Sequence, residues 1–232
     1  VNGRFVIEAV LGRGGMGVVY RARDLRKEET GDRNPFVAMK VLSDEFRRDP
    51  RMVVALQRES RKAQTLAHPN IATVYDFDRD GDIVYMTMED LDGQPLSELI
   101  KANPLVLPKV EALSIVRGLA LGLAYAHNKN IVLSDFKPDN EFFTASRQTR
   151  ILDFGIARAA PMERSEASEQ TRFDAGEIGA LTPSYASCEM FEGREPHPAD
   201  DVYALAIVAY QLLSGRHPFD SVPAPQARQQ GL

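Results

Sequence analysis

Hydrophobic and polar positions alternate over short distances in residues 1–90 of the chain. Short apolar or alternating runs of this kind predict β-strands. Five are present: RFVIEAVLG, GVVYRARD, FVAMKVLS, IATVYDFD and DIVYMTME. One helical period interrupts them at 49–67, with Asp49 as its predicted cap and Pro50 in its first turn. This part of the chain is therefore predicted to be a small β-rich lobe with one helix.

Residues 91–232 carry longer apolar periods. The turn-forming residues of LDGQP (91–95) first break the chain. The patterns at 108–130 and 200–215 then each predict a buried helix, and the second helix should end at Gly215. Because strands dominate one part and helices the other, we predict an α+β protein of two lobes joined near the boundary between them.

A polar stretch, 160–177, lies between the two predicted helices. It contains APMERSEASEQTRFDAGE and shows no hydrophobic period. Segments of this composition cannot bury enough apolar surface to form a packed element. We predict a loop here.

Composition and charge exclude several classes of partner and location. The formal net charge is −5 with no basic block, which argues against nucleic acid as the main partner. The longest strongly apolar run, 202–213, is too short to span a bilayer. The single cysteine, Cys188, excludes an internal disulfide and is consistent with a reducing compartment. We expect a cytoplasmic domain with no membrane contact in this segment, while an anchor outside it stays open.

The segment LGRGGMGVVY supplies Gly12, Gly14 and Gly17, followed by Val19. Glycines let backbone N–H groups approach phosphates closely, but a glycine-rich hairpin turn explains the motif about as well. No helix follows, so the dinucleotide-binding interpretation fails. The alternating pattern on both sides favours a flap between two strands.

Charged and amide side chains later in the chain suit phosphoryl transfer. Lys40 ends an apolar strand, where a lysine is ordinarily just solvated, but Glu59 in the helical pattern could pair with it. Asp135, Lys137 and Asn140 in IVLSDFKPDN have the spacing of a phosphoryl-transfer loop.

A DFG triplet begins at Asp153, thirteen residues after Asn140. Magnesium prefers oxygen ligands, which both of these side chains offer. The four histidines, in contrast, match no metal spacing.

Together these motifs resemble a eukaryotic-like serine/threonine protein kinase, and GRGGMGVVYRARD is most similar to bacterial members of that family. The match runs from the glycine loop to about residue 220. The resemblance implies a two-lobed kinase fold, with a small antiparallel sheet lobe plus one helix at 1–90 and a mainly helical catalytic lobe at 91–232. It also implies Mg²⁺-dependent transfer of the γ-phosphoryl group of ATP to serine or threonine of a protein substrate.

The resemblance assigns roles to individual residues. Some of these residues would contact ATP, with Met88 as the gatekeeper and Glu89 to Leu91 as the hinge. The ATP-contacting residues are Gly12, Gly14, Gly17, Val19, Ala38, Met88, Glu89, Leu91 and Phe142. Lys40 holds the α- and β-phosphates, with Glu59 as its partner. Those that carry the chemistry are Asp135 as catalytic base, Lys137 at the γ-phosphate, and Asn140 and Asp153 as magnesium ligands.

Resemblance also identifies how a protein substrate would be held. Residues 182–189 match the substrate-docking loop of protein kinases, which kinases of small molecules generally lack. The polar stretch 160–177 would be the activation segment. Asp201 falls where the family uses an aspartate to anchor the backbone of the catalytic loop.

The catalytic loop departs from the family pattern, because Leu133 and Ser134 replace the usual histidine and arginine. Leucine keeps the packing of the histidine. Serine, however, cannot grip a phosphate on the activation segment as the arginine does. A working kinase without this phosphate switch is one interpretation. The alternative is a pseudokinase that acts as a nucleotide-binding signalling scaffold.

By the same resemblance, family members continue through several more helices after the position of Leu232, so we expect the kinase fold to be C-terminally incomplete in this segment. One of those helices carries an arginine that pairs with the residue matching Glu189. We expect helix 201–213 to expose leucine and valine side chains, and a buried Glu189 to lack its partner. Either the natural protein continues, or a second copy or another partner covers the helix by association.

Overall fold

The computed structural model describes residues 1–14, 17–48, 50–103, 107–152 and 182–232, some of them by their backbone alone. The chain forms two compact units. The sheet unit comprises Val1–Ala67 and Ala72–Asp92, and the helical unit comprises His68–Ile71 and Gly93–Leu232. The predicted α+β class is confirmed.

Five antiparallel strands form the sheet unit in the order β1-β2-β3-β5-β4. They are β1 (Phe5–Gly14), β2 (Gly17–Asp24), β3 (Phe36–Leu42), β4 (Val74–Asp80) and β5 (Ile83–Glu89). All five predicted runs therefore form strands. One face of the sheet carries a buried apolar cluster made of Phe5, Ala22, Val37, Met39 and Tyr85.

Three helices complete the sheet unit: α1 (Leu25–Glu29), α2 (Asp44–Arg48) and α3 (Pro50–Gln64). The predicted helix starts at Pro50 as expected, whereas its predicted cap, Asp49, lies outside the described residues. Leu56 of α3 is buried, and the Ser60 hydroxyl lies 3.3 Å from the Met86 sulfur of β5. Helix α3 thus packs on the sheet through its apolar side.

The helical unit contains α4 (Leu96–Ala102), α5 (Lys109–Asn128), α6 (Cys188–Phe191), α7 (Pro198–Ser214) and α8 (Ala224–Gln230), with a 3₁₀ turn at Pro183–Tyr185. A small sheet, β6 (Gly93–Pro95), β7 (Glu141–Thr144) and β8 (Thr149–Ile151), adjoins them. The sequence predicted a turn-rich break at 91–95, but residues 93–95 form strand β6 instead. Gly93, at φ 149°, lets the Phe143 carbonyl come so close that a Cβ would clash, which allows β6 to pair with β7.

Helices α5 and α7 pack against each other and form the centre of the helical unit. Gly118 and Gly122 of α5 face β8, where added Cβ atoms would lie 2.0 Å from Thr149 Oγ1 and 2.8 Å from Ile151 Cδ1. Close packing of the helix on this strand therefore requires glycine at both positions. Helix α7 ends at Gly215, which is left-handed at φ 74°, as predicted from sequence.

Two expectations about the outer surface of the helical unit have different outcomes. Val202 and Leu213 of α7 are exposed, as expected. The expected burial of Glu189 is wrong, because this side chain is exposed on the single turn of α6. Its carboxylate can remain hydrated, so the cost expected for a buried unpaired charge does not arise.

Candidate active site

The glycine-rich motif lies where β1 and β2 join. Gly14 pairs with Gly17 across the antiparallel hairpin, and residues 15–16 lie outside the described part of the chain. Among the described residues, a Cβ added at Gly12 or Gly14 would meet no heavy atom within 4 Å, whereas one at Gly17 would lie 2.0 Å from the Val41 carbonyl oxygen. The predicted flap between two strands is confirmed. Open space adjoins its first two glycines, and the third allows β2 and β3 to approach.

The strand register brings several predicted nucleotide contacts to one face of the sheet. Val19 lies opposite both Gly12 in β1 and Lys40 in β3. Ala38 lies opposite Met88 in β5. Directly opposed residues, and residues two apart along a strand, share a face of a sheet. Val19, Ala38 and Lys40 therefore project from the same side as the open glycines.

The end of β5 and the residues after it are held within the sheet unit by polar groups. The backbone N–H of Glu89 donates to the Thr73 carbonyl at 2.9 Å. Asp90 forms an ion pair with Arg21 at 2.9 Å, and the Arg21 guanidinium lies 3.8 Å from the Phe36 ring centroid. These contacts fix the backbone that leads to Leu91, the end of the predicted hinge.

Three predicted residues need separate mention. Phe142 lies in β7 of the helical unit, opposite Pro95 and Arg150. The side chain of Glu59 and all of Asp153 lie outside the described residues. The ion pair between Lys40 and Glu59 therefore stays a prediction. The role of Asp153 as a magnesium ligand also stays a prediction.

The catalytic-loop residues form a tight polar cluster within the helical unit. Lys137 Nζ lies 2.7 Å from Asp135 Oδ2. Asn140 Nδ2 donates to the same carboxylate oxygen at 3.0 Å and to the Asp135 backbone carbonyl at 2.9 Å. Oδ1 is the Asn140 atom suited to a metal, because the amide nitrogen only donates hydrogen bonds and magnesium prefers oxygen ligands. The spacing predicted one phosphoryl-transfer loop from these three residues; the structure brings their side chains together, while their roles stay predictions.

A fourth side chain, Thr182, joins this cluster from the start of the docking segment. Its hydroxyl donates to Asp135 Oδ1 at 3.1 Å and accepts from Lys137 Nζ at 2.7 Å. Sequence reasoning placed Thr182 in the docking segment but missed this contact. The only sequence signal that pointed to Thr182 was the TPSYASCE segment, which begins with this residue.

Asp201 of α7 anchors the catalytic loop, as the resemblance implied. Its two carboxylate oxygens accept from the backbone N–H groups of Leu133 and Ser134, both at 2.9 Å. His127 Nε2 lies 2.8 Å from the same carboxylate. Ser134 has φ 64°, a conformation uncommon outside glycine. The charged acceptor therefore helps to hold a strained backbone immediately before Asp135.

The docking segment, residues 182–189, is held by contacts along its length. The Tyr185 hydroxyl donates to Gln211 Oε1 of α7 at 2.9 Å. His217 Nε2 lies 3.0 Å from the Ser184 carbonyl oxygen, while its Nδ1 accepts from the Phe219 N–H at 3.1 Å. Burial lowers the pKa of His217 and raises the pKa of Tyr185. Both groups are therefore stabilised in their neutral forms.

The end of the docking segment has its own buried anchor. Ser187 Oγ donates to Asp200 Oδ1 at 2.5 Å and accepts from the Met190 N–H at 3.2 Å. Asp200 Oδ2 accepts from the His197 N–H at 3.0 Å, at the start of α7. Sequence reasoning placed Ser187 in the docking segment but gave it no contact, and it missed Asp200, which belongs to no motif it used.

These residues fit ATP and a magnesium ion chemically. Open space beside Gly12 and Gly14 allows a phosphate to approach the backbone. Lys40 supplies a positive charge from the same face of the sheet, and Asn140 supplies an oxygen ligand of the type magnesium prefers. Among the described residues, no cluster of three or more histidine, cysteine or acidic side chains forms a metal site by itself.

The sheet unit and the catalytic cluster together define a protein kinase domain, and the known families agree. The protein kinase domain family matches residues 5–231. The chain belongs to this family. Several of its relatives are named serine/threonine-protein kinases.

Serine/threonine-protein kinase PrkC of Bacillus subtilis is 36% identical over 224 residues, which cover 97% of this chain and 32% of PrkC. Serine/threonine-protein kinase pkn2 of Myxococcus xanthus is 34% identical over 231 residues, which cover 97% of this chain and 26% of pkn2. The chain thus spans about a third or less of the length of these relatives.

Solved structures agree with the family. The crystal structure of the Mycobacterium tuberculosis PknI kinase domain superimposes with a TM-score of 0.72 at 29% sequence identity. The match covers 94% of this chain and 77% of the PknI chain. The predicted protein kinase fold is confirmed. No helix within the described ranges has the length and apolar character needed to cross a membrane.

Proposed function

We propose that this domain transfers the γ-phosphoryl group of ATP to serine or threonine hydroxyls of protein substrates. The observation that carries the proposal is the cluster in which Lys137, Asn140 and Thr182 all contact the Asp135 carboxylate. A carboxylate that already accepts a hydroxyl hydrogen bond suits a base that accepts the proton of an attacking hydroxyl. The Lys137 ammonium, 2.7 Å away, would offset negative charge that develops on the transferred group.

The other predicted roles complete the proposal. Residues 1–90 would serve as the ATP-binding lobe and 91–232 as the catalytic lobe. In the first, Lys40 with Glu59 would hold phosphates under the glycine flap, and Met88 to Leu91 would contact adenine. Val19, Ala38 and Phe142 would enclose the base. Asn140 and Asp153 would hold Mg²⁺, which neutralises phosphate charge when bound.

The decisive test is phosphate transfer from labelled ATP to a generic protein substrate in the presence of magnesium. We expect Asp135→Asn to lower kcat by roughly a hundredfold to ten-thousandfold, the range for loss of a general base. Lys40→Met should also remove most activity while the melting temperature stays unchanged. Full activity in folded Asp135→Asn protein would contradict the assignment of the base.

The pseudokinase alternative rests on Leu133 and Ser134 alone. It predicts that ATP raises the melting temperature of the wild-type protein while no phosphate reaches any protein substrate. An active kinase predicts both effects. Transfer to a small molecule without transfer to protein would instead support a kinase of small metabolites.

We also propose that activity does not need a phosphate docked at position 134. The Ser134 backbone N–H keeps its hydrogen bond to Asp201, while the residue is 7% exposed and its hydroxyl offers no cation to a phosphate. Phosphatase treatment should therefore change kcat by no more than about threefold. A loss of about a hundredfold would indicate a different phosphate-binding pocket.

Location and partners follow from the same chemistry. Because ATP is the proposed phosphate donor and Cys188 is a free thiol, we place the domain in the cytoplasm. The proposed partners are ATP and a protein substrate.

A further inference from the structure

Two adjacent aspartates lie in the first turn of α7, and each contacts a different segment of the helical unit. Asp200 is 4% exposed and Asp201 is 1% exposed. Consecutive helical side chains point about 100° apart, so neighbouring carboxylates reach different partners. Asp201 accepts from the backbone of the catalytic loop, whereas Asp200 accepts from Ser187 at the end of the docking segment.

The contact between Asp200 and Ser187 links the starts of two helices. The Ser187 hydroxyl caps α6 by accepting from Met190 N–H and donates its own hydrogen to Asp200 Oδ1. The other carboxylate oxygen of Asp200 accepts from the His197 N–H at the start of α7. A hydrogen bond to an ionised acceptor is short and strong, and here both partners are almost completely buried. Residues 186–190 are therefore tied to the same helix that anchors the catalytic loop.

Three side-chain or backbone hydrogen bonds to other elements lie closer to the beginning of the docking segment. Thr182, Ser184 and Tyr185 bond to Lys137, His217 and Gln211 respectively. Asp200 contributes the charged contact at the far end, after the segment has passed through the 3₁₀ turn. Loss of this contact would release the segment at one end while leaving the Asp135 cluster in place.

We propose that Asp200 is a positioning residue for the protein substrate: through Ser187 it fixes the docking segment relative to α7. The inference rests on the proposed kinase function. It separates the roles of two neighbouring carboxylates, with Asp200 controlling how well the protein substrate is held and Asp201 controlling the catalytic loop.

Steady-state kinetics of Asp200→Asn and Ser187→Ala test this separation. Each should raise the KM for a protein substrate about tenfold, while kcat and the KM for ATP stay within about twofold of wild type. The double variant should match Ser187→Ala, because the bond between the two side chains is already absent once the Ser187 hydroxyl is removed. Asp201→Asn is the matched control, and it should lower kcat instead. An unchanged substrate KM in folded Asp200→Asn and Ser187→Ala proteins would overturn the proposal.

Hydrogen exchange supplies a readout that does not depend on activity. In both variants we expect faster exchange at the Met190 amide and across 186–190, with unchanged exchange at Leu133 and Ser134. Equal acceleration in both segments would show general destabilisation and overturn the separate role of Asp200. If wild-type protein transfers no phosphate, the proposed function fails, while exchange still tests whether Asp200 fixes this segment. Should Asp200→Asn not fold, Ser187→Ala decides the outcome, because it removes a single hydroxyl.

Discussion

At the scale of single residues, Thr182 is placed between two opposite charges. A hydroxyl can donate one hydrogen bond and accept another, and the Thr182 hydroxyl does both: it donates to Asp135 and accepts from Lys137. This double contact holds the carboxylate and the ammonium in fixed positions relative to the docking segment. Correct positioning supplies a large part of the rate in phosphoryl transfer.

We therefore expect Thr182→Val to lower kcat about tenfold to a hundredfold, since a hydrogen bond to a charged group contributes about 1.5–3 kcal/mol. Thr182→Ser keeps the hydroxyl and should retain most of the activity. Initial rates at saturating ATP and protein substrate would measure both variants. Equal kcat values for Thr182→Val and wild type would show that the contact has no part in the reaction.

His217 is a residue whose protonation state affects the docking segment. Both ring nitrogens have backbone partners, and the Nδ1 that accepts from Phe219 cannot do so when it is protonated. Burial lowers the pKa of His217 from its usual 6.5. Below that pH the unfolded state binds a proton before the folded state does. The folded state is therefore destabilised as pH falls through 6.5 towards the lower folded pKa.

His217→Gln tests this dependence, because the glutamine amide can donate and accept without titrating. Wild-type protein should be more stable than the variant at about pH 8, and this advantage should shrink below about pH 6.5. Urea unfolding at several pH values would measure the difference. A difference in unfolding free energy that does not change with pH would contradict the role of His217.

Short spacing in the sequence was enough to predict part of the site. Asp135, Lys137 and Asn140 belong to one loop, so their order already brings them together. Thr182 lies 47 residues from Asp135, and Ser187 lies 13 residues from Asp200. Contacts of this kind depend on how helices pack, which local patterns do not encode. The family resemblance gave the segment around Thr182 a role but not its hydrogen bonds.

At the scale of elements, long periods were predicted well and short elements were not. Helices α5 and α7 have repeated apolar faces, so their patterns predicted them and the stop at Gly215. Helix α6 has four residues and β6 has three, too few to show a period. Strand β6 forms because β7 lies beside it. This pairing is a tertiary cause that overrides the turn composition of its residues.

The hairpin between β1 and β2 offers a matched pair of glycine substitutions. Gly17→Ala should lower the free energy of unfolding by about 1–3 kcal/mol, because its Cβ would meet the β3 backbone. Gly12→Ala meets open space, so its unfolding free energy should change by no more than about 0.5 kcal/mol. Its KM for ATP should nevertheless rise about tenfold, as the methyl group would occupy space proposed for phosphate.

Chemical unfolding and ATP titration measure the two effects separately. Unchanged stability in Gly17→Ala would mean that β2 and β3 can separate without cost. An unchanged KM for ATP in folded Gly12→Ala would contradict the proposed place of the phosphates.

At the scale of the whole molecule, apolar side chains are exposed on the two central helices of the helical unit. On α5, Val110 is 83% exposed and Leu121 is 48% exposed. On α7, Val202, Tyr210 and Leu213 are 56%, 40% and 38% exposed. The spacing of Val202, Tyr210 and Leu213 along α7 places all three on one side of the helix, where they form an exposed apolar stripe. Exposed apolar side chains on one side of a helix favour association with another surface.

We expect the 232-residue protein to bind a hydrophobic dye and to associate increasingly as its concentration rises. The variant Val202→Glu with Leu213→Lys should reduce both effects, and these charges suit the two ends of α7 because they complement the helix dipole. Ile83→Lys in the sheet unit is the matched control, since Ile83 is also exposed, at 39%, but lies outside the stripe. Sedimentation velocity and dye fluorescence would measure the outcome. A monomeric, dye-negative wild-type protein that melts cooperatively would show that the exposed stripe on α7 is stable in water without a partner.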